Sequence, residues 1–437
     1  MKIATRLHAQ FLLCSTLVLS ACAPQIAAPA QVVPTDVKVQ EVVTLTLGSW
    51  RTEDSEGYAK IIAIFEKSHP NIKINFEPTL NTEYDAQLTT ALKGGKGPDL
   101  VTCRPFDISL LNYQAGFLAN IKEIPGMEHF SDVAKSAWST DNGDATFCMP
   151  MASVIHGFIY NKDIFEKIGI TPPRTETEFF AALDKIKAAG ITPLDITTKD
   201  AWTTATMAYE NIGVNYWDGE NGRLSLIQGK AKVTDAPYVD ALKSVLRWKD
   251  YLPDGHESIG YADAQQIFPM GKAAIYPAGS WEIPLFESLA KFKMGAFMPY
   301  VPDNIDPKSC WINDHVDIGI GMNTNTPHPI QAKEFLQWLT TAEFSQAFAD
   351  NQPGFFPLSD HKIDIKDPLA AEFISWRSQC KSSIRIFYQF LGRGDPAATS
   401  VMTDNVYTMI QGKTTPEEVA KKIQDGLDKW FKPMPVK

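Results

Sequence analysis

Residues 41–49 (EVVTLTLGS) alternate loosely and are rich in Val, Leu and Thr, which predicts a first strand. A polar turn over 50–57 follows. Tyr58, Ile61, Ile62, Phe65 and Glu66 then recur at helical spacing, and His69-Pro70 stops that helix. Residues 71–77 (NIKINFE) alternate as a second strand. Residues 84–92 place Leu88, Ala91 and Leu92 on one helical face before Gly94, Gly95 and Gly97, and 99–103 read as a short third strand. A strand–helix–strand–helix–strand rhythm predicts an α/β unit with a mainly parallel sheet.

The pattern resumes after Pro150. Residues 155–160 and 272–276 are strand-like, and the latter run into Pro277-Ala278-Gly279-Ser280-Trp281. Helices are predicted at 163–168, 177–189, 238–248 and 329–340, with long helical segments across 368–409 and a final amphipathic helix at 414–430. A Gly-rich strand is predicted at 316–322. No fixed-period repeat and no heptad pattern interrupts this order.

Length and composition set the scale. A chain of 437 residues, 44% hydrophobic and 21% charged, is globular and long enough for two large domains or three smaller ones. The net charge of −10, with no Lys/Arg run, argues against a nucleic-acid groove and leaves a neutral ligand open. At the N-terminus, Lys2 and Arg6 precede an apolar run at 11–19, which is too short to span a bilayer, and then Leu19-Ser20-Ala21-Cys22. This has the form of an export signal and resembles a bacterial lipobox. Residues 1–21 are then a lipoprotein signal peptide, Cys22 the lipidated residue, and 22–40 a linker anchored to the membrane and facing away from the cytoplasm.

Exported chains permit disulfides. Cys103, Cys148, Cys310 and Cys380 allow three pairings, with Cys103–Cys148 and Cys310–Cys380 expected and four buried free thiols as the alternative. No CxxC spacing supports zinc. The histidines are scattered, and none stands i, i+4 with a Glu beside it, so no metal is expected. Gly94-Gly95-Lys96-Gly97 follows a helix and lacks the Lys-Ser/Thr pair of a phosphate loop. No G-x-S-x-G occurs, and Asp303, Asp306, Asp314 and Asp317 do not fit a calcium loop. No cofactor and no catalytic residue are expected.

Aromatics beside polar turns stand out. A sugar ring has apolar faces and a polar rim, so an aromatic plate with nearby hydrogen-bonding groups suits it. Trp50, beside Arg51 and Glu53, lies just past the first strand; Phe106 and Asp107 lie past the third; Trp281 lies in a Gly-Ser-Trp turn. Open α/β sheets bind ligands beyond the carboxyl ends of their strands, which is where these three segments fall. Trp202 and Trp217 sit in polar stretches. Each has an ordinary alternative as a cap or core residue. Trp248, Trp338, Trp376 and Trp430 fall on helical stripes and read as core.

Six segments in order carry a resemblance. Phe65 through Lys73 (FEKSHPNIK), Gly94 through Leu100, Phe158 through Phe165 (FIYNKDIF), Ala274 through Trp281, Ala332 through Leu336 (AKEFL) and Gln411 through Glu418 (QGKTTPEE) resemble motifs of the bacterial extracellular solute-binding proteins of family 1. These are maltose-binding-protein-like receptors of ABC importers. The resemblance implies an α/β, two-lobed clamp of the periplasmic-binding-protein type (type II), with mixed sheets, flanking helices and a hinge of several crossings. Lobe one is expected at 41–155 plus 312–350 and lobe two at 156–311 plus 351–437. The implied function is capture of a mono- or oligosaccharide by a monomer and its delivery, unchanged, to the importer's membrane subunits. A polyol, sugar phosphate or polyamine in the same clamp is the alternative, and a surface glycosidase a more distant one. By position, Trp281 resembles the sugar-stacking Trp and Asp107 a hydroxyl-binding carboxylate. Trp50, Arg51, Glu53, His156, Phe355 and Tyr388 fall on segments that often reach the ligand. Asp314 and His315 replace a glycine-rich stretch.

Overall fold

A computed structural model of the chain describes residues 41–435. The predicted signal peptide, Cys22 and the linker lie outside these residues. Ten strands order the fold: β1 (Val43–Ser49), β2 (Ile72–Pro78), β3 (Leu100–Cys103), β4 (Met149–Asn161), β5 (Thr192–Leu194), β6 (Ala273–Gly279), β7 (Met294–Phe297), β8 (Trp311–Met322), β9 (Phe356–Pro357) and β10 (Lys381–Ser383). They run β2-β1-β3-β8-β4-β6-β5 across the molecule, with β10 beside β8 and both β7 and β9 beside β4.

The first three strands are parallel, as their intervening helices require; β8 runs antiparallel to β3, and β4 antiparallel to β8. Strand β4 is the pivot. Residues 149–155 pair with β8, whereas 156–160 pair with β6, starting at His156 opposite Gly279. One strand therefore serves two sheet regions, and all thirteen of its residues are buried. Strand β8 does the same from its own side. Residues 319–322 pair with β3, 314–320 with β4, and 311–313 with β10.

The sequence pattern understated both long strands. Pro150 disguises the start of β4, and it is tolerated because the register shifts between Pro150 and Ala152. The expected helical run across 368–409 is a correction. In this range α-helices occupy only Pro368–Ser375 and Ala398–Ile410, with short 3-10 turns at Trp376–Ser378 and Gln389–Gly392. Between them Ile386, Phe387 and Leu391 are fully buried in an irregular segment broken by Gly392, Gly394 and Pro396. Residues 356–364 also bond toward the first sheet region. β9 pairs with Ala152 and Ser153, Ser359 meets Ser345 at 2.8 Å, and the Asp364 N–H donates to Gln346 at 2.9 Å.

Cys103 pairs with Cys148, joining the end of β3 to the start of β4, and Cys310 pairs with Cys380, joining the approach to β8 to that of β10. The loops they close span sequence separations of 45 and 70, long enough for each bridge to restrict the unfolded chain substantially. Thiol titration of the unfolded, unreduced chain cut back to residues 41–437 is expected to find no free cysteine, and the double variant Cys310→Ser/Cys380→Ser to lose about 2–4 kcal/mol in guanidinium unfolding.

Candidate functional site

A cavity of about 350 Å³ opens where the strand ends converge. Trp50 and Arg51 reach it from the end of β1, Arg104 from the end of β3, and Trp281 from the turn after β6. Trp202 and Thr206 come from a wide helical stretch (Thr203–Glu210) and its approach, and Tyr261 from the first position of a helix. Asp317 of β8, with Arg385 and Tyr388 of the irregular 376–397 segment, completes the wall.

Local chemistry fixes each plate. The Trp281 ring folds back over its own strand: a Cβ on Gly279 would stand 1.9 Å from Trp281 Cζ3, so only glycine admits the indole there. The Trp281 Nε1–H donates to Glu282 at 3.1 Å, and Glu282 also accepts from Tyr261 Oη at 2.7 Å and Gln265 Nε2 at 2.8 Å. Burial pushes the Glu282 carboxyl up to about 7, against the pull of those donors. Tyr261 meets Trp202 edge-on at 4.7 Å. Trp50 lies between the edge of Tyr84 and the guanidinium of Arg104, 4.5 Å from its ring.

Each arginine has an acidic neighbour. Arg51 makes a bidentate pair with Asp54 at 2.5 and 2.9 Å, meets Glu53 at 3.2 Å, and donates to the Trp281 carbonyl at 3.1 Å. Arg104 grips Asp85 at 2.8 and 3.0 Å. Arg385 stands 3.7 Å from Asp317 and 3.9 Å from Glu210, beyond hydrogen-bond length, and its Nε donates to His156 Nε2 at 3.1 Å. His156 and His315 are held well below the usual imidazole range, first by burial and then by the Arg385 charge, so both are neutral acceptors. Burial also pushes Glu210 up to about 7. Its carboxylate oxygens, with His156 Nδ1 and His315 Nε2, find no hydrogen-bond partner among the described residues.

Of the residues singled out from sequence, Trp50, Arg51, Trp202, Trp281 and Tyr388 line this cavity. His156 backs Trp281 edge-on at 5.1 Å, and His315 backs Tyr388 at 4.8 Å. Glu53 is held against Arg51. The others do not join it. Trp217 packs among Tyr209 and Tyr238 in the core, because Gly213 and Gly222 leave room for its ring and backbone. Phe355 is buried beneath the Arg51 guanidinium at 4.8 Å. Asp107 is bonded by Arg393 Nε at 2.7 Å, and the same guanidinium holds Asp141 at 2.5 Å. Phe106, at φ 61°, and Asp314, paired with Arg377 at 2.6 Å, line a second cavity of about 620 Å³.

Sequence reading missed Arg104, Tyr261, Glu282 and Arg385. Arg104 follows β3 directly and met the same strand-end rule that selected Phe106. Arg385 stands inside the apolar run Ile384-Arg385-Ile386-Phe387, where a lone charge among buried neighbours is itself a signal.

The arrangement of two sheet regions sharing long strands, with an aromatic cavity at the strand ends, defines a two-lobed solute-binding clamp. Residues 48–345 match the family profile described as bacterial extracellular solute-binding protein, and the chain belongs to that family. The multiple sugar-binding protein of Streptococcus mutans is 23% identical over 415 residues, covering 90% of this chain and 91% of that protein. The solute-binding protein RafE in complex with raffinose superposes with a TM-score of 0.73 at 21% identity, covering 89% of this chain and 99% of that one. The apo form of RafE from Streptococcus pneumoniae gives 0.64 at 22% identity, covering 89% and 98%. Family membership makes this an extracytoplasmic binding component of an ABC importer, with membrane permease subunits as its partners; its task is binding, not turnover. No helix among the described residues is long and apolar enough to cross a membrane.

At pH 5 the Glu282 carboxyl is protonated, and Glu282→Gln would replace its hydroxyl oxygen, which still accepts, with an amide nitrogen that cannot, among the Trp281, Tyr261 and Gln265 donors. The variant is expected to be less stable than wild type at pH 5 by about 1–3 kcal/mol. The gap should narrow toward pH 8. A raised carboxyl stabilises below its unfolded pKa, about 4.3, and that contribution is lost as pH rises through about 7. Urea unfolding across pH 5–8 measures both the offset and its slope.

Proposed function

We propose that the chain is a carbohydrate receptor, taking a mono- or short oligosaccharide between two lobes and handing it on unchanged. One observation carries this reading. The cavity is walled by Trp50, Trp202, Trp281, Tyr261 and Tyr388, and its three arginines each have a carboxylate within 4 Å. Indole and phenol faces cover the apolar faces of a pyranose. Arginine–carboxylate pairs offer charge-assisted bonds to hydroxyls while presenting no unbalanced cation for a phosphate. A volume of about 350 Å³ lies at the small end of ligand sites and suits a short saccharide. The sugar-binding names of the relatives point the same way.

The lobes are proposed at 41–155 plus 312–365 and 156–311 plus 366–437. The bonds of 356–364 to the first sheet region support moving the last boundary from 351. Bonds between the two lobes so drawn include Arg51 to the Trp281 carbonyl, Arg393 to Asp107 and Asp141, and Arg377 to Asp314. The higher score against raffinose-bound than apo RafE supports a closed arrangement. Asp107 acts here as a closing bond rather than as a ligand contact. Cys22 is proposed as the acylated anchor and 22–40 as the tether; two or more chains hold firmly where one would not.

Calorimetry against neutral saccharides, polyols, glycerol 3-phosphate and polyamines tests the reading. A neutral saccharide is expected to bind saturably, change Trp fluorescence and be recovered intact. Trp281→Ala should weaken it by about 2 kcal/mol, or roughly 30-fold. Binding of charged solutes alone, or unchanged affinity in the variant, would overturn the assignment.

A further inference from the structure

Outside the cavity, the fold brings together two histidines 232 positions apart in sequence. His129 ends a short turn (Met127–His129), and His361 follows the stretch that pairs with it. Phe130 and Ser359 form an antiparallel bridge, and the Asp360 N–H donates to the His129 carbonyl at 2.8 Å. The imidazoles thereby come to 4.2 Å between ring centroids, with the Asp360 carboxylate beside them. One donor atom from each of His129, Asp360 and His361 lies within 4.8 Å of the others.

The protonation pattern favours a cation. His361 Nε2 meets the Thr340 carbonyl at 2.8 Å. A carbonyl oxygen only accepts, so Nε2 carries the proton and Nδ1 keeps its lone pair. His129 Nδ1 meets Asp360 Oδ1 at 2.9 Å, so an ion that displaces the shared proton would be held by His129 Nδ1 and the Asp360 carboxylate together. An imidazole whose far nitrogen is bonded to a carbonyl or carboxylate is the usual form of a metal-ligating histidine, because that bond sets the tautomer and the ring orientation. Here the His361 ring has it before any ion arrives. The anchoring carbonyl is itself placed: the Thr340 side chain packs over Gly126, where a Cβ would stand 1.9 Å from Thr340 Oγ1, at φ 93°.

We propose that His129, His361 and Asp360 form a binding site for a divalent transition ion of the zinc class. Two imidazoles and a carboxylate match that class by ligand type, with solvent completing a four-coordinate shell. Tetrahedral ligands at about 2.1 Å stand about 3.4 Å apart. The donors must therefore close by up to about 1.4 Å, which rotation of partly exposed side chains supplies; His129 is 38% and Asp360 69% exposed. None of the three lines the aromatic cavity, so the site is separate from solute capture. Its ion would clip the 359–361 segment to the 126–130 turn and brace the stretch that carries the chain past β9.

The test uses the untagged full chain, stripped with a chelator, and Zn²⁺ or Co²⁺ alone. Calorimetry is expected to show one Zn²⁺ per chain, with a rise in Tm, and Co²⁺ to give visible bands of low-symmetry coordination. Either His129→Ala or His361→Ala should lower Zn²⁺ affinity about 100-fold, and Asp360→Asn about 10-fold. His328→Ala, at a histidine outside the cluster, should leave affinity unchanged. No saturable Zn²⁺ binding, or binding that survives the double variant His129→Ala/His361→Ala in a chain that still unfolds cooperatively, would overturn the site.

Discussion

The change of partner along β4 is the constraint on which the rest of the structure depends. Up to Ile155 the strand is held by β8; from His156 it is held by β6. A strand that belongs to two sheet regions must cross between them, and every backbone group at the crossing has to be bonded on both sides. The crossing also sets the position of Trp281. Gly279 pairs with His156, the chain turns at once, and the indole lies back against the glycine with the imidazole at its edge. The Trp281 ring and the crossing between sheet regions are thus one piece of covalent structure.

Around that plate the protein spends buried charge on position. Arg51, Arg104 and Arg385 each stack on or beside an aromatic ring, and each is neutralised nearby. An isolated buried guanidinium would be costly and would draw anions; a paired one is a fixed set of donors. Glu282 plays the complementary part, collecting donors from Trp281, Tyr261 and Gln265, so that one helix is bonded to the turn after β6. The Arg51 bond to the Trp281 carbonyl ties this unit to the loop after β1.

Much of the frame was legible in the chain. The first three strands and their helices followed from alternation and helical spacing to within a few residues, because each buries one face and leaves the other wet. Trp50 and Trp281 were legible for a different reason: aromatics just past strand ends are poor core candidates and good site candidates. Trp217 has the same local look but lies in the core, since two glycines far from any strand end make room for it. The irregular stretch between Ser375 and Ala398 defeated the helical pattern, because its apolar residues are buried by neighbours that sequence does not name.

The sequence alone determined the order of the first strands and helices, the family resemblance and the candidate plates, because local periodicity and strand-end chemistry are written in consecutive residues. Tertiary structure alone decided which charges met. Asp107 went to Arg393, Arg385 came to sit beneath Trp281 and Tyr388, and His129 was brought to His361. Partners separated by hundreds of positions carry no mutual spacing signal. Only the folding of strands past one another fixes the few ångströms on which hydrogen bonding and ion binding depend.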